Sequence, residues 1–109
     1  MHKIILYRED IEELIEERQM IRVIIYDPTN EKRIPATVPE NAPMQTLIPE
    51  LVKRLGLPLR NERGDLISYA LMKREARGLR QLRSNESLAA AGVAEDDELT
   101  FTYKIIPGK

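Results

Sequence analysis

Met20 to Tyr26, MIRVIIY, sets Ile21, Val23 and Ile25 on alternate positions, the two-residue period of a strand with one apolar face. Asp27-Pro28-Thr29-Asn30 follows as a turn: proline fixes φ, and the Asp and Asn side chains bond their own backbone. Ile34 to Val38 is a second short strand, so the pair is a hairpin. Pro39 ends it because proline has no N–H for a ladder. The pattern then changes period. Met44, Leu47, Ile48, Leu51, Val52 and Leu55 recur at helical spacing as one continuous apolar stripe. Gly56 is a natural left-handed stop, with Pro58 beyond it. Pro49 has no N–H to give, so the predicted helix begins near Gln45 or Thr46, leaving Pro49 in the first turn.

Gly64 closes a polar turn, Leu66 to Met72 reads as a strand, and Lys73 to Gly78 as a charged loop. Leu79 to Leu82 is a short strand, Leu88 to Ala91 a helical turn stopped by Gly92, and Glu95 to Glu98 an acidic turn. Leu99 to Ile106 is the last strand, with Leu99, Phe101, Tyr103 and Ile105 on one face. A single amphipathic helix needs one sheet face to cover. The fold class is therefore α+β: a mixed sheet of four to five strands rolled onto one main helix. The strands at 20–26 and 99–106 are the most apolar, which predicts that they are the central, parallel pair.

Residues 1–19 differ from the rest. Ile4 to Tyr7 reads as a short strand, and Asp10 with Glu13 forms a capping-box-like pair ahead of Ile11, Leu14 and Ile15 on one helical face. This N-terminal strand-helix extension, with six acids and three bases, has three readings: a solvated appendage, a partner-binding or dimerising arm, or a peripheral stretch ahead of a start at Met20. The expected division is 1–19 extension, 20–106 domain and 107–109 tail.

Composition narrows the chemistry. With 109 residues there is room for one domain. There is no cysteine, which excludes a disulfide framework, a thiolate zinc site and a cysteine nucleophile. The one histidine is His2, which leaves no basis for His-based metal clusters or a Ser-His-Asp site. A net charge of −1 predicts no bulk attraction to nucleic acid or anionic membrane. No apolar run approaches the roughly 20 residues of a membrane span, and the start has no signal-peptide pattern, so the expected location is cytoplasmic. No cofactor and no catalytic activity are expected; a binding or carrier module is.

Particular residues then carry the functional reading. The stretches Ile21-Arg22-Val23-Ile24-Ile25-Tyr26-Asp27-Pro28, Leu47-Ile48-Pro49-Glu50-Leu51-Val52, Leu55-Gly56-Leu57-Pro58, Ser87-Leu88-Ala89-Ala90-Ala91-Gly92-Val93 and Asp97-Glu98-Leu99 resemble the ubiquitin-like β-grasp domains of the bacterial YukD/EsaB type, over about residues 20–106. Laid on ubiquitin itself, Leu82 to Gly108 aligns without a gap, and Gly108 falls on the terminal glycine that ubiquitin conjugates. Pro107 stands where ubiquitin has its penultimate glycine, and Lys109 lies beyond the reactive position. A modifier's carboxylate must enter narrow enzyme clefts, and a glycine without a Cβ permits that approach.

The resemblance thus implies a ubiquitin-like protein modifier. It would be activated at Gly108 after a processing peptidase removes Lys109, then passed on by activating (adenylating) and conjugating enzymes. The alternative is a non-covalent accessory or adaptor of a type VII-like secretion system, with secretion-system proteins as partners; standalone relatives of that type end at the last strand and lack the tail. In either case the outer sheet face is the expected docking surface, with Ile24, Tyr26, Tyr69, Leu71, Arg80 and Thr102 as its partner-binding residues.

Two charged stretches complete the picture. Residues 60–83 carry seven bases against three acids, with Tyr69 as the one aromatic; this reads first as a solvated, ion-paired face, then as a docking patch for an acidic protein, and last as a nucleic-acid site. Glu95 to Glu98 lacks the alternating spacing and turn glycine of a calcium loop and reads as a solvated turn.

Overall fold

The computed structural model describes residues 4–6 and 19–107. In chain order the elements are β1 (Ile4–Ile5), β2 (Met20–Tyr26), β3 (Arg33–Pro39), α1 (Met44–Leu55), β4 (Leu66–Glu75), β5 (Gly78–Gln81) and β6 (Glu98–Ile106). Among the described residues the strands form one six-stranded sheet in the order β1-β3-β2-β6-β4-β5. β2 and β6 are the central pair and run parallel, Ile25 beside Leu99, as their apolar sequences predicted. β2 and β3 form the expected antiparallel hairpin, from Met20↔Pro39 to Tyr26↔Arg33. Strand β1 is the departure from four to five strands: it lies parallel to β3, with Ile4↔Ala36 and Ile5↔Thr37, on the edge that a two-strand hairpin leaves open.

The turn between β2 and β3 is built by Asp27. Its Oδ1 accepts from the Glu31 and Lys32 N–H groups at 2.9 and 3.0 Å, and its Oδ2 from the Thr29 hydroxyl at 2.8 Å. Asn30 takes the left-handed conformation the turn requires, φ 66°, a role asparagine tolerates.

The helix crosses one face of the sheet. Met44, Leu47, Leu51 and Val52 are buried, and Ile48 and Leu55 pack at the margin. It begins at Met44, earlier than predicted, so Pro49 sits in its second turn. The reason lies outside the helix. Its first N–H groups find partners in the distant loop: Met44 N–H donates to the Glu86 carbonyl at 2.9 Å and Gln45 N–H to the Ser84 carbonyl at 2.8 Å. With those donors satisfied, no side-chain cap is needed. At the other end Gly56 adopts φ 69°, and the Gly56 and Leu57 N–H groups close back on the Lys53 and Val52 carbonyls, a Schellman ending.

Between helix and sheet, Ile21, Val23 and Ile25 of β2, Ile34, Ala36 and Val38 of β3, Leu71 of β4, and Leu99 and Phe101 of β6 make the core. Ile4 and Leu6 belong to the same cluster. β4 runs on to Glu75, so the predicted charged loop shrinks to a tight turn at 76–77; antiparallel pairing with β5, Glu75↔Gly78 to Met72↔Gln81, holds the charged residues in strand. No helix among the described residues is long and apolar enough to cross a membrane. The predicted helix around Ile11, Leu14 and Ile15, and both Gly108 and Lys109, lie outside the described residues.

Candidate interaction surface

The alternation of each strand decides which side chains reach the outer face, away from α1. On β2, Ile21, Val23 and Ile25 point inward, so Ile24 and Tyr26 point outward, as predicted, and Arg22 with them. Thr102 also faces outward and is exposed, beside Ala70. Tyr26 is half-buried at the centre of a small network that joins three strands. The Arg74 guanidinium lies over its ring, 5.3 Å from the centroid. The Tyr26 hydroxyl donates to Glu98 Oε2 at 3.3 Å, and Arg74 pairs with Glu98 Oε1 at 3.2 Å and donates to the Thr100 hydroxyl at 3.3 Å. An Arg held this way against an aromatic face is oriented at modest cost in side-chain freedom.

Three of the six expected docking residues, Leu71, Tyr69 and Arg80, are placed otherwise, and a fourth, Ile24, is largely covered. Ile24 is on the outer face but 7% exposed, seated between Pro35 and Glu98, its register neighbours, so it offers a partner little area. Leu71 is fully buried, pointing to the helix with Phe101 as its register neighbour. Tyr69 shares that inward parity: its ring meets Phe101 edge-to-face at 5.9 Å, and its hydroxyl donates to the Pro58 carbonyl at 2.6 Å. Burial, with a smaller contribution from Tyr103, raises the Tyr69 pKa above the ordinary tyrosine value, so this phenol remains a neutral donor. Arg80 is spent within the fold. It bonds Glu75 at 3.1 Å, Glu86 at 3.5 Å and the Ala91 carbonyl at 3.0 Å, tying edge strand β5 to the 87–91 turn. The hydrogen bond to Arg80 leads the lowering of the Glu75 pKa, and the Arg83 N–H leads that of Glu86.

Other features went unread in the sequence. Arg74, Glu98 and Thr100 are the partners of Tyr26, and the signal was their register: all lie on outward positions of β4 and β6. Exposed apolar groups flank the start of β4 and the end of β6: Leu66 and its register neighbour Ile106 on the outer face, Tyr103 on the face that carries Phe101, and Leu59 in the loop before β4. An open, mostly apolar groove of about 660 Å³ runs between the end of α1 and Tyr69, lined by Ile48, Val52, Leu57 and Leu59.

The charged stretches resolve into ion pairs and caps. Lys73, Arg74 and Arg80 all face acidic partners, and Arg60 donates to the Gly64 carbonyl at 2.7 Å. In the acidic turn, Asp96 pairs with Arg22 at 2.7 Å, a hydrogen bond that lowers its pKa; Asp97 caps the Ala94 N–H at 2.8 Å; and Glu98 holds Arg74. These carboxylates are engaged one by one with protein donors rather than converging on a shared point.

A mixed sheet with a parallel central pair, one helix across one face and a hairpin on each side is the ubiquitin-like β-grasp fold. Solved structures agree on that fold. The N-terminal ubiquitin-like domain of the 4931431F19Rik protein superposes with a TM-score of 0.60 at 16% identity, over 84% of this chain and 81% of that one. The ubiquitin-like domain of tubulin-binding cofactor B gives 0.55 at 13%, over 77% and 89%. The EccD5 ubiquitin-like domain from Mycobacterium xenopi gives 0.53 at 22%, over 84% and 99%. No curated protein sequence matches the chain. The sequence model of the family described as WXG100 protein secretion system (Wss), protein YukD, matches residues 20–100. The chain belongs to the YukD family.

Proposed function

We propose that the protein is a non-covalent accessory of a WXG100-type secretion system, working on the cytoplasmic side as a docking module without catalysis of its own. The observation that carries this reading is the family match over residues 20–100. The family description, a protein of a secretion system, supports the accessory in preference to the covalent modifier at Gly108, with its activating and conjugating enzymes and the peptidase that would remove Lys109. The docking surface is the outer sheet face around Tyr26, Arg74, Thr100 and Thr102, where one aromatic, one oriented guanidinium and two hydroxyls offer directional contacts on a rigid sheet.

The test is made in the native host, reading export of its WXG100 proteins. Deleting the gene reduces export. A Gly108→Ala copy restores it, and a Tyr26→Ala, Arg74→Ala copy of equal abundance does not. Undiminished export in the deletion strain overturns the reading. Failure of Gly108→Ala alone returns the argument to the modifier.

A further inference from the structure

We infer that the outer edge of β3 is a strand-addition site, which β1 fills from within the chain and which takes in its place an extended segment of a partner protein. That segment runs parallel to β3, with apolar side chains two residues apart. The inference concerns a sheet edge rather than the outer-face surface and does not depend on the secretion reading.

The family match begins at residue 20, and β2, β3, α1, β4, β5 and β6 make the whole ubiquitin-like roll from there on. β1 is added to it. An uncovered β3 would present a row of unpaired N–H and C=O groups, the usual template for adding a strand. Here the chain satisfies that edge itself: Ile4 and Ile5 pair with Ala36 and Thr37, and the Leu6 N–H donates to the Thr37 carbonyl at 2.8 Å.

The seat has chemistry as well as backbone. Ile4 is 8% exposed and Leu6 is fully buried, and both enter the core, while Ile5 between them turns outward. Ile4 lies beside Ala36, the smallest of the inward residues of β3. The edge therefore selects an apolar-x-apolar strand in one direction and one register. A one-residue slip would bring the outward side chain into the core.

The tether makes β1 replaceable. Leu6 ends beside Thr37, and Gln19 re-enters beside Glu40, its carbonyl accepting the Glu40 N–H at 2.9 Å. Both ends of the intervening chain thus sit at the same end of β3. They are about two strand spacings apart, roughly 10 Å. The twelve positions from 7 to 18 would span about 18 Å even wound as helix, more than that gap, so chain length alone lets β1 reach its seat or stand away from it. A segment on such a tether has an effective concentration on the order of millimolar. An identical strand from a second copy competes poorly at ordinary concentrations, whereas a partner strand of better fit does not need to. β1 then acts as a built-in competitor that sets the threshold for binding.

The experiment uses the full chain and a fluorescent peptide with the sequence of His2 to Glu9, HKIILYRE. Ile5 and Thr37 are outward register neighbours in a chain without cysteine, so Ile5→Cys with Thr37→Cys gives a disulfide that locks β1 in place. The reduced double variant binds the peptide, and oxidation weakens binding at least about tenfold, as expected if a tethered occupant must first depart. A peptide carrying Ile4→Asp and Leu6→Asp does not bind. Full-length chain with those same two aspartates, its own strand unseated, binds the unaltered peptide at least about tenfold more tightly than the parent chain. Should that variant fail to fold, the disulfide pair decides alone. Equal affinity in the oxidised and reduced states, or no saturable binding to the reduced chain at millimolar peptide, overturns the inference. So does strand-exchanged dimer at micromolar protein, which would make a second copy the occupant.

Discussion

Leu71 and Thr102 occupy neighbouring strands a few ångströms apart, and the structure gives them opposite fates. Leu71 is fully buried among the core residues, whereas Thr102, beside Ala70 one position along the same ladder, is exposed on the outer face. Truncating Leu71 to alanine removes three carbons from the core. At about 0.8 kcal/mol per buried methylene the transfer loss is roughly 2.4 kcal/mol. The cavity left between β4 and α1 adds to it, within the range of about 2–5 kcal/mol for such changes. Thr102→Ala should stay within about 0.5 kcal/mol. Urea denaturation followed by far-UV circular dichroism separates the two. With a slope of roughly 1–1.5 kcal/mol per molar, a loss of about 3 kcal/mol lowers the midpoint by about 2–3 M. Thermal melting should fall by about 10–20 °C for Leu71→Ala. A Leu71→Ala midpoint within about 0.5 M of the parent, at an unchanged slope, would refute the inward assignment and restore Leu71 to the docking face.

Three further outcomes are expected. Gly56→Ala should cost about 1–2 kcal/mol from backbone conformation alone, because φ is 69° and nothing lies within 4 Å of an added Cβ; Gly56→Asn should cost less, by the same denaturation assay. Tyr69→Phe loses the hydroxyl's bond to the Pro58 carbonyl but keeps the ring on Phe101, and should cost about 0.5–1.5 kcal/mol with no change in sheet content. Asp27 is raised by burial, yet the Lys32 and Glu31 N–H groups and the Thr29 hydroxyl together lower its pKa below the ordinary aspartate value. A carboxyl depressed in the fold stabilises it above the unfolded value and loses that contribution as pH falls through the folded one. Asp27→Asn should therefore flatten the decline in stability below about pH 4 and leave the slope near neutrality unchanged, measured by urea midpoints across pH 2–7.

The parts of the fold read from sequence are those in which one segment carries its own instructions. The β2–β3 hairpin was legible because Asp27 and Asn30 supply the turn, and α1 because its apolar stripe is continuous from Met44 to Leu55. The start of α1 was misplaced because its first N–H groups are satisfied by Ser84 and Glu86, some forty residues away. No local signal announces that. The faces of β4 were readable and were misread: Ile67, Tyr69 and Leu71 form its apolar parity against Ser68 and Ala70, and following that alternation puts Tyr69 and Leu71 inside. Arg80 was different again. Its role as a clamp depends on the Ala91 carbonyl, which only tertiary structure brings near. For β1 the strand was visible in Ile4 to Tyr7, but its partner was not, because a parallel pairing across an intervening stretch leaves no trace in periodicity.

The modifier and the accessory share one fold and part on which atoms act. A modifier acts through its terminal carboxylate, so its sheet face serves only to be recognised, and a change at the last glycine abolishes function while every surface contact survives. An accessory acts through side chains and backbone edges, and the order of sensitivity reverses. Among the described residues, two features are of the second kind. The Tyr26–Arg74–Glu98 cluster joins three central strands, and the β3 edge is already engaged by an added strand. Both are directional, the first on the outer face and the second filled by β1 until a partner strand takes its place. Two such sites, one on the outer face and one on the β3 edge, would let the domain hold two partners with no covalent step, and substitutions at the two should then impair binding of different partners independently.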